Sequence, residues 1–366
     1  MPAIAARAAV LNAFHAPLNI ESLTVEPPRA DEVRVRLVAT GICHTDLVMA
    51  AGALRAAPPV VLGHEGAGVI EDVGAEVTTH QVGDHVVLSF AHCGNCTACR
   101  AGAPAYCREF VARNFSCARP DGSCAISADH PVRGHFFGQS SFASYTVCPY
   151  NSAVLVPKDL PLELLAPLGC GVQTGAGAVI NVFKAQPGAT IAIFGAGAVG
   201  LSAIMAARAV GATVIIAVDR NPRRLELAME LGATHSVPVT DQDSLERLRD
   251  LAPGGVHFSL DTTGAAEVIN AAIAVLASRG TCGLVSGGPG VAATVPVNAL
   301  FVGGQTIRGI MEGDSVPSTF IPQLIDLYRQ GQFPFDRLIK YFTLSEVNVA
   351  MAESARGEVL KPVIRF

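Results

Sequence analysis

The chain has 366 residues, enough for about two domains with separate cores. Charged residues make up only 16% and the net charge is −5, with no basic run, which argues against nucleic acid as a partner. The apolar stretch 191–218 is interrupted by Arg208 and four glycines, so it reads as strand, turn, helix and strand rather than as a membrane span.

In chain order, VRVRLVAT at 33–40, AGVIEDVG at 67–74 and GDHVVLSF at 83–90 read as strands. Residues 91–145 are irregular and rich in Cys, Gly, Pro and Asn; a loop of that length needs a reason, and a metal clip supplies one. From about residue 172 strands and helices alternate. TIAIFG, AVGLSAIMAARAVG, TVIIAVD, NPRRLELAMELGA, HFSLDTTG, AAEVINAAIAVLAS and GTCGLVSGG follow one another, the pattern of a doubly wound parallel sheet. The charged segment 241–250 has the spacing of a solvated helix face. The C-terminal ~55 residues return to mixed helix and strand and are expected to rejoin the first domain. The expected boundaries are 1–171 with 312–366 for one domain and 172–311 for the other. The N-terminus has no basic segment leading into a long apolar stretch and cleavage site, so a non-secreted, cytoplasmic protein is expected.

Three groups of residues carry chemistry. The first is Cys93, Cys96, Cys99 and Cys107, spaced C-x2-C-x2-C-x7-C. Four thiolates on a short loop can close around zinc and leave no open position, which makes a structural site. The same four ligands would also suit an iron–sulfur cluster, and the bland reading is four reduced core cysteines. The second group is dispersed: Cys43 in GICHTD, His64 in GHEGAG and Cys170 in GCG. Two Cys and one His make three ligands and leave a fourth position for water or substrate. Singly, each also reads as an ordinary core residue, and their weight comes from the shared glycine-flanked setting. The third is Gly195-Ala-Gly197-Ala-Val199-Gly200, placed after an apolar strand and before a helix, with Asp219 at the end of the next strand. Such glycines let a pyrophosphate approach the helix N-terminus. Asp219 would accept from ribose hydroxyls and repel a 2′-phosphate, favouring NAD over NADP, whereas Arg220, Arg223 and Arg224 could receive a phosphate. Its plainer reading is a turn residue.

Together these motifs, in matching order over nearly the whole chain, resemble the zinc-containing medium-chain dehydrogenase/reductase family. The wording is most similar to its aryl (benzyl) and allylic alcohol dehydrogenases in GICHTD, GHEGAG, PLGCGVQTGAGAVIN and GDSVPSTFIPQLIDLYRQGQFPFDRLIKYF. The resemblance implies a Rossmann domain beside a mostly-β GroES-like catalytic domain, NAD, and two zinc ions per subunit. It implies that Cys43, His64 and Cys170 hold the catalytic zinc and that Cys93, Cys96, Cys99 and Cys107 hold a structural one. Thr45 then matches the hydroxyl that hydrogen-bonds the alcohol, Asp46 the carboxylate that orients His64, and Glu65 the acid behind the zinc. His44 and Lys361 match cationic contacts to the cofactor pyrophosphate. Thr174 matches a nicotinamide-side contact, Asp219 a ribose-side contact, and Val199 and Arg224 join the cofactor set.

Two positions depart from relatives. Val48 stands where many carry a proton-passing His, and Val111 stands where glutathione-dependent formaldehyde dehydrogenases carry an Arg. The expected reaction is reversible oxidation of an apolar primary alcohol, benzyl- or geraniol-like, through a channel of Val48, Phe90 and Phe115. The alternatives are a general short-chain or glutathione-dependent formaldehyde-type dehydrogenase and a non-catalytic family member. A homodimer through sheet edges near 281–310, or a tetramer, is the expected assembly, with a small alcohol or aldehyde as the other partner. Cys117, Cys124, Cys148 and Cys282 read as ordinary thiols, and His15, His80, His85, His92, His130, His135, His235 and His257 as ordinary histidines.

Overall fold

A computed structural model describes residues 2–53, 56–239, 243–288 and 290–366. The chain forms two compact units. The first comprises 1–170, 316–323 and 336–366; the second comprises 171–315 and 324–335. The first break thus falls one residue before the expected 171/172 boundary. Residues 312–315 and 324–335, assigned from sequence to the catalytic domain, pack with the second unit. Helix Pro317–Arg329 contributes residues to both units, and its sequence carries no punctuation that would mark the division.

The first unit is mostly β. Its larger sheet runs in the order Ile339–Thr343, Lys361–Arg365, Glu32–Gly41, Glu65–Val73, His85–Leu88, Ala153–Leu155, with Tyr145–Pro149 also paired to Glu32–Gly41. Its smaller sheet is Val60–Val61, Ile4–Leu11, Asn19–Val25, Ile126–Ser127. The three strands expected between 33 and 90 are therefore present. The alternation that identified them buries Val33, Val35, Leu37, Ile70, Val86 and Leu88 on a common apolar core. The segment 91–145 is less irregular than expected, holding helices Thr97–Arg100 and Phe110–Phe115 as well as strand Ile126–Ser127.

The second unit holds a six-stranded sheet, entirely parallel, in the order His235–Pro238, Val214–Asp219, Thr190–Phe194, Val256–Asp261, Leu276–Leu284, Thr306–Gly309. The strands read as continuous apolar runs because both faces of such a sheet are covered. Ile191, Ile193, Ile215, Ile216 and Leu260 are fully or almost fully buried. Of the charged segment 241–250, residues 241 and 242 lie outside the described residues. Ser244–Leu251 is a helix that buries Leu248. The helix read over AAEVINAAIAVLAS stops at Ala274. Residues from Leu276 onward pair with Val256–Asp261, so sheet pairing overrides the helical spacing there.

Among the described residues no single helix is long and apolar enough to cross a membrane; the broken pair Leu162–Gly169 and Gly171–Phe183 reaches that length only when its pieces are added.

Candidate active site

The first unit brings Cys43, His64, Glu65 and Cys170 together, with one potential ligand atom from each lying within 4.8 Å of all the others. Each arrives at the end of a regular element. Cys43 is the N-cap of the short helix His44–Val48, which follows strand Glu32–Gly41. His64 immediately precedes strand Glu65–Val73, and Cys170 follows the 3₁₀ turn Ala166–Gly169. The ends of elements let side chains from separate segments converge, whereas mid-strand positions are committed to one face of a sheet.

Asp46 ties two of these segments. Its Oδ1 lies 3.0 Å from His64 Nδ1 and accepts from Gly63 N at 3.1 Å, while Oδ2 accepts from Cys43 N at 2.9 Å. With Nδ1 held by the carboxylate, His64 presents Nε2 to the cluster, and that atom is buried with no hydrogen-bond partner among the described residues. A buried polar atom left this way is costly unless something coordinates it. Burial disfavours the His64 imidazolium, but the Asp46 carboxylate outweighs it and raises the basicity of the ring well above its usual value. The hydrogen bond from Cys170, against the opposing effect of burial, and then the Lys361 charge hold Cys43 well below an ordinary thiol, toward the thiolate that metals bind. Two cysteine sulfurs, one of them drawn toward the thiolate, and the orphaned Nε2 fit a zinc ion, which would take the place of a proton on that nitrogen.

Glu65 and Lys361 form a fully buried pair behind this cluster. Lys361 Nζ lies 2.8 and 3.0 Å from the two carboxylate oxygens and donates to Ile42 O at 3.3 Å. Gly41 makes the room: a Cβ there would sit 2.0 Å from Glu65 Oε2. Burial raises the Glu65 pKa despite the Lys361 charge, and the Glu65 charge raises that of Lys361 against burial. The ammonium expected to reach for a pyrophosphate is thus satisfied by a carboxylate, because at 1% exposure an unpaired cation would be expensive. His44 is exposed and Thr45 half-buried, both on the first turn after Cys43.

A ring cluster lies against His64. Phe137 stacks on the His64 imidazole at 4.5 Å and 26°, and Phe136 meets it edge-on at 5.5 Å. Phe115 packs on Phe137 at 5.1 Å, and Phe110 joins Phe90 at 5.7 Å. Phe90 and Phe115, expected from sequence, belong to this group; Val48 is 37% exposed. Phe136 and Phe137 were missed. The only hint was an FFG triplet in a turn-rich segment, where two large apolar residues have no local core to join.

Cys93, Cys96, Cys99 and Cys107 form the second group, also within 4.8 Å of one another. Backbone amides converge on the sulfurs: Cys93 N on Cys107 Sγ and Cys96 N on Cys93 Sγ, both at 3.3 Å, and Glu109 N on Cys107 Sγ at 3.4 Å. Hydrogen bonds from the Cys99 and Arg108 amides bring Cys96 to about 6, while burial and the neighbouring Cys96 push Cys99 up to about 12. Amides aimed at four sulfurs are what a multiply charged thiolate set requires, and no plain core of free cysteines would need them.

In the second unit Gly195 adopts φ 95°, and a Cβ there would lie 2.3 Å from Thr262 Oγ1. Gly200 has no room either, its Cβ falling 1.8 Å from Gly195 O, whereas Gly197, the N-cap of helix Ala198–Ala209, faces open space. This open, side-chain-free turn at a helix N-terminus fits a dinucleotide pyrophosphate. Val199 is half-buried, and its carbonyl would lie 2.0 Å from a Cβ on Gly175. Asp219 ends its strand as expected, but it already accepts from Ala196 N at 2.6 Å and Asn221 N at 2.8 Å. It therefore holds the glycine turn in place. Arg224 is half-buried in the first turn of helix Pro222–Leu231. Thr174 Oγ1 faces Glu312 Oε2 at 3.5 Å.

Residues 29–158 match the alcohol dehydrogenase GroES-like domain and residues 198–330 the zinc-binding dehydrogenase domain. The chain belongs to the zinc-binding alcohol dehydrogenase family. It is 46% identical to a geraniol dehydrogenase of Castellaniella defragrans, over 99% of this chain and 98% of that protein. It superposes on a benzyl alcohol dehydrogenase of Acinetobacter calcoaceticus with a TM-score of 0.97 at 47% identity, over 99% of each chain. An alcohol dehydrogenase zinc-binding domain protein of Burkholderia ambifaria gives 0.98 at 52% identity, over 100% of this chain and 99% of that one. Zinc-dependent alcohol oxidation with NAD is the chemistry of this family and of this chain. The two units accordingly are the GroES-like and Rossmann folds anticipated from the motifs.

Proposed function

We propose that this enzyme interconverts apolar primary alcohols, aryl or allylic, and their aldehydes. The observation that carries the reading is the Phe136–Phe137 pair set directly on the His64 ring, with Phe115 behind it. A ring cluster beside the reacting position rewards a substrate in proportion to the apolar surface it covers, at about 25 cal/mol per Å². The relatives acting on geraniol and benzyl alcohol support the same class. Val111, apolar and 53% exposed, offers no charge for a glutathione adduct.

In this reading Cys43, His64 and Cys170 hold one zinc, and Cys93, Cys96, Cys99 and Cys107 hold the other. Zinc supplies a Lewis acid that favours the ionised alcohol, and NAD supplies the hydride acceptor. The chain's own residues do the rest. Asp46 fixes the His64 ring so that Nε2 faces the cluster. Thr45 Oγ, two residues after Cys43, accepts the alcohol proton and relays it outward. Val48 cannot take that proton onward, so water must, and oxidation is expected to favour alkaline pH. Gly195, Gly197, Val199 and Gly200 cradle the pyrophosphate. His44 and Arg224 serve as its cationic surroundings, Thr174 meets the nicotinamide side, and Asp219 meets the adenosine ribose, while Lys361 stays with Glu65.

The protein is further proposed to be a cytoplasmic homodimer. Six of the ten cysteines hold zinc in this reading, a usage that suits a reducing compartment. Helix Val297–Gly303, near the edge strand Thr306–Gly309, leaves Val297, Phe301 and Val302 73–84% exposed, which an apolar interface would cover.

Initial rates with NAD across benzyl alcohol, geraniol, hexanol, ethanol and hydroxymethylglutathione test the substrate class. Benzyl alcohol and geraniol should exceed ethanol in kcat/KM by roughly a hundredfold. Equal values for ethanol and benzyl alcohol would refute the aryl or allylic reading.

A further inference from the structure

We propose that Gln139, acting with Ser89, is a positioning residue that sets the spacing between the backbone bearing His64 and the backbone bearing Cys170. The proposal rests on the reading that these two residues and Cys43 ligate a zinc ion.

Gln139 is 1% exposed, and both ends of its amide are used. Oε1 accepts from Gly66 N at 3.0 Å. Nε2 donates to His64 O at 2.9 Å and to Ser89 O at 3.3 Å. One amide thus grips the chain on both sides of Glu65 and joins it to the end of the neighbouring strand. Ser89 carries the connection on: its Oγ donates to Gly169 O at 2.7 Å, one residue before Cys170. The path from one ligand to the other is short, buried and made of oriented hydrogen bonds.

Glycines make the path possible. A Cβ on Gly66 would lie 2.9 Å from Ser141 Cβ and 3.1 Å from Gln139 Oε1. A Cβ on Gly169 would lie 2.2 Å from Leu88 O and 3.5 Å from Glu65 Cα. The glycines around His64 and Cys170 therefore allow backbone and amide to close up around the ligand positions.

The loop that presents Gln139 is held in an unfavourable conformation. His135, Phe137 and Ser140 all have φ between 52° and 63°, where a Cβ is disfavoured, and Gly138 has φ 69°. Such a cluster persists when surrounding contacts over-determine it, and it concentrates at functional sites. Here the contacts are with the His64 segment. Phe137 lies on the imidazole face, the Gln139 amide holds the flanking backbone, and Ser140 Oγ donates to Val61 O at 2.6 Å. An apolar filler would occupy the volume of Gln139 without orienting anything. A carboxylate would place an oxygen against two carbonyls where Nε2 now donates.

The test uses full-length, zinc-loaded Gln139→Met and Ser89→Ala enzymes. The readouts are zinc release to a pyridine-dicarboxylate chelator, the visible spectrum after cobalt substitution at the chelator-labile site, kcat, and the dissociation constant for NAD. Gln139→Met should release that zinc about tenfold or more faster than the wild type, as loss of groups that orient ligands does elsewhere. The zinc of the four-cysteine lobe should stay bound, the cobalt bands should shift, and kcat should fall with NAD affinity unchanged. Ser89→Ala should move the same readouts less, and it decides the matter if Gln139→Met does not fold. Unchanged release and an unchanged cobalt spectrum in the variants that fold would overturn the proposal. So would parallel loss of both zinc ions, because that is the signature of general loosening. If Cys43→Ser leaves zinc content unchanged, the ligand assignment itself fails and the proposal falls with it. That result is distinct from one in which the ligands hold and Gln139 has no effect on them.

Discussion

The two cysteine-containing clusters solve the same coordination problem in opposite ways. Cys93, Cys96, Cys99 and Cys107 come from one segment, and the local amides that point at their sulfurs belong to that segment as well. Cys43, His64 and Cys170 come from three separated segments. They are held by Asp46 and, in the account above, by Gln139, which is 75 residues from His64 in sequence. A contiguous loop can close around a metal with little else formed, so its metal contributes directly to local folding. A dispersed set exists only after two sheet strands and a turn have packed, so the fold precedes the metal and leaves one position free for chemistry.

The largest expected effects separate these roles. Cys43→Ser should abolish turnover and leave the melting temperature and far-UV circular dichroism close to wild type. Cys96→Ser should lower the melting temperature and expose the 93–107 segment to protease, because a structural metal site is lost. Similar melting temperatures for the two variants would erase the distinction.

The dispersed half has a second buried group whose cost can be read from pH. His135 is 5% exposed and accepts a hydrogen bond from Ala125 N at Nε2. Burial, aided by the Arg119 charge and opposed by Glu32, brings its pKa from 6.5 to about 4. The unfolded chain therefore takes up a proton below about pH 6.5 that the folded chain refuses until about pH 4. Stability is full above that window and is lost as the pH falls through it, by about 3 kcal/mol over the interval. Urea midpoints measured from pH 7 to pH 4 should drop accordingly. His135→Gln should flatten the upper part of the drop, leaving the loss from carboxylates such as Glu32, whose pKa Arg119 lowers against the effect of burial. Parallel curves for the two proteins would show that His135 titrates normally.

A smaller effect probes a local motif. Asp219 follows the glycine turn by one helix and one strand, and its assignment rests on that short-range order. Asp219→Gly should shift the NAD-to-NADP ratio of kcat/KM by roughly tenfold toward NADP, since a carboxylate beside a phosphate costs on the order of 1–3 kcal/mol. Asp219 also holds Ala196 N, so the variant should lose some activity with both cofactors. An unchanged ratio would leave Asp219 as a turn residue alone.

What was legible in the sequence follows the same division. Periodicity is a local property, and the parallel sheet, the glycine turn, Asp219 and the four-cysteine loop were all read from contiguous patterns. Cys43, His64 and Cys170 stood out by their shared glycine-rich setting and took a ligand role from the family resemblance, and the nearby glycines answer to close approaches that the packed structure contains. Contacts between distant segments left no comparable trace. Phe137 on His64, Gln139 across three backbone groups and Lys361 against Glu65 are set by sheet packing, and no spacing within one window encodes them. The chain's return through Leu324–Phe335 to the second unit was invisible for the same reason.

The measurement that bears most directly on the account is zinc per chain in the wild type, Cys170→Ser and Cys96→Ser, determined by elemental analysis beside turnover. The account predicts about two zinc ions in the wild type. It predicts one in Cys170→Ser, with the fold kept and activity gone. It predicts depletion confined to the 93–107 site in Cys96→Ser, with that lobe destabilised. One zinc in the wild type, iron in place of zinc, or full turnover in Cys170→Ser would contradict it.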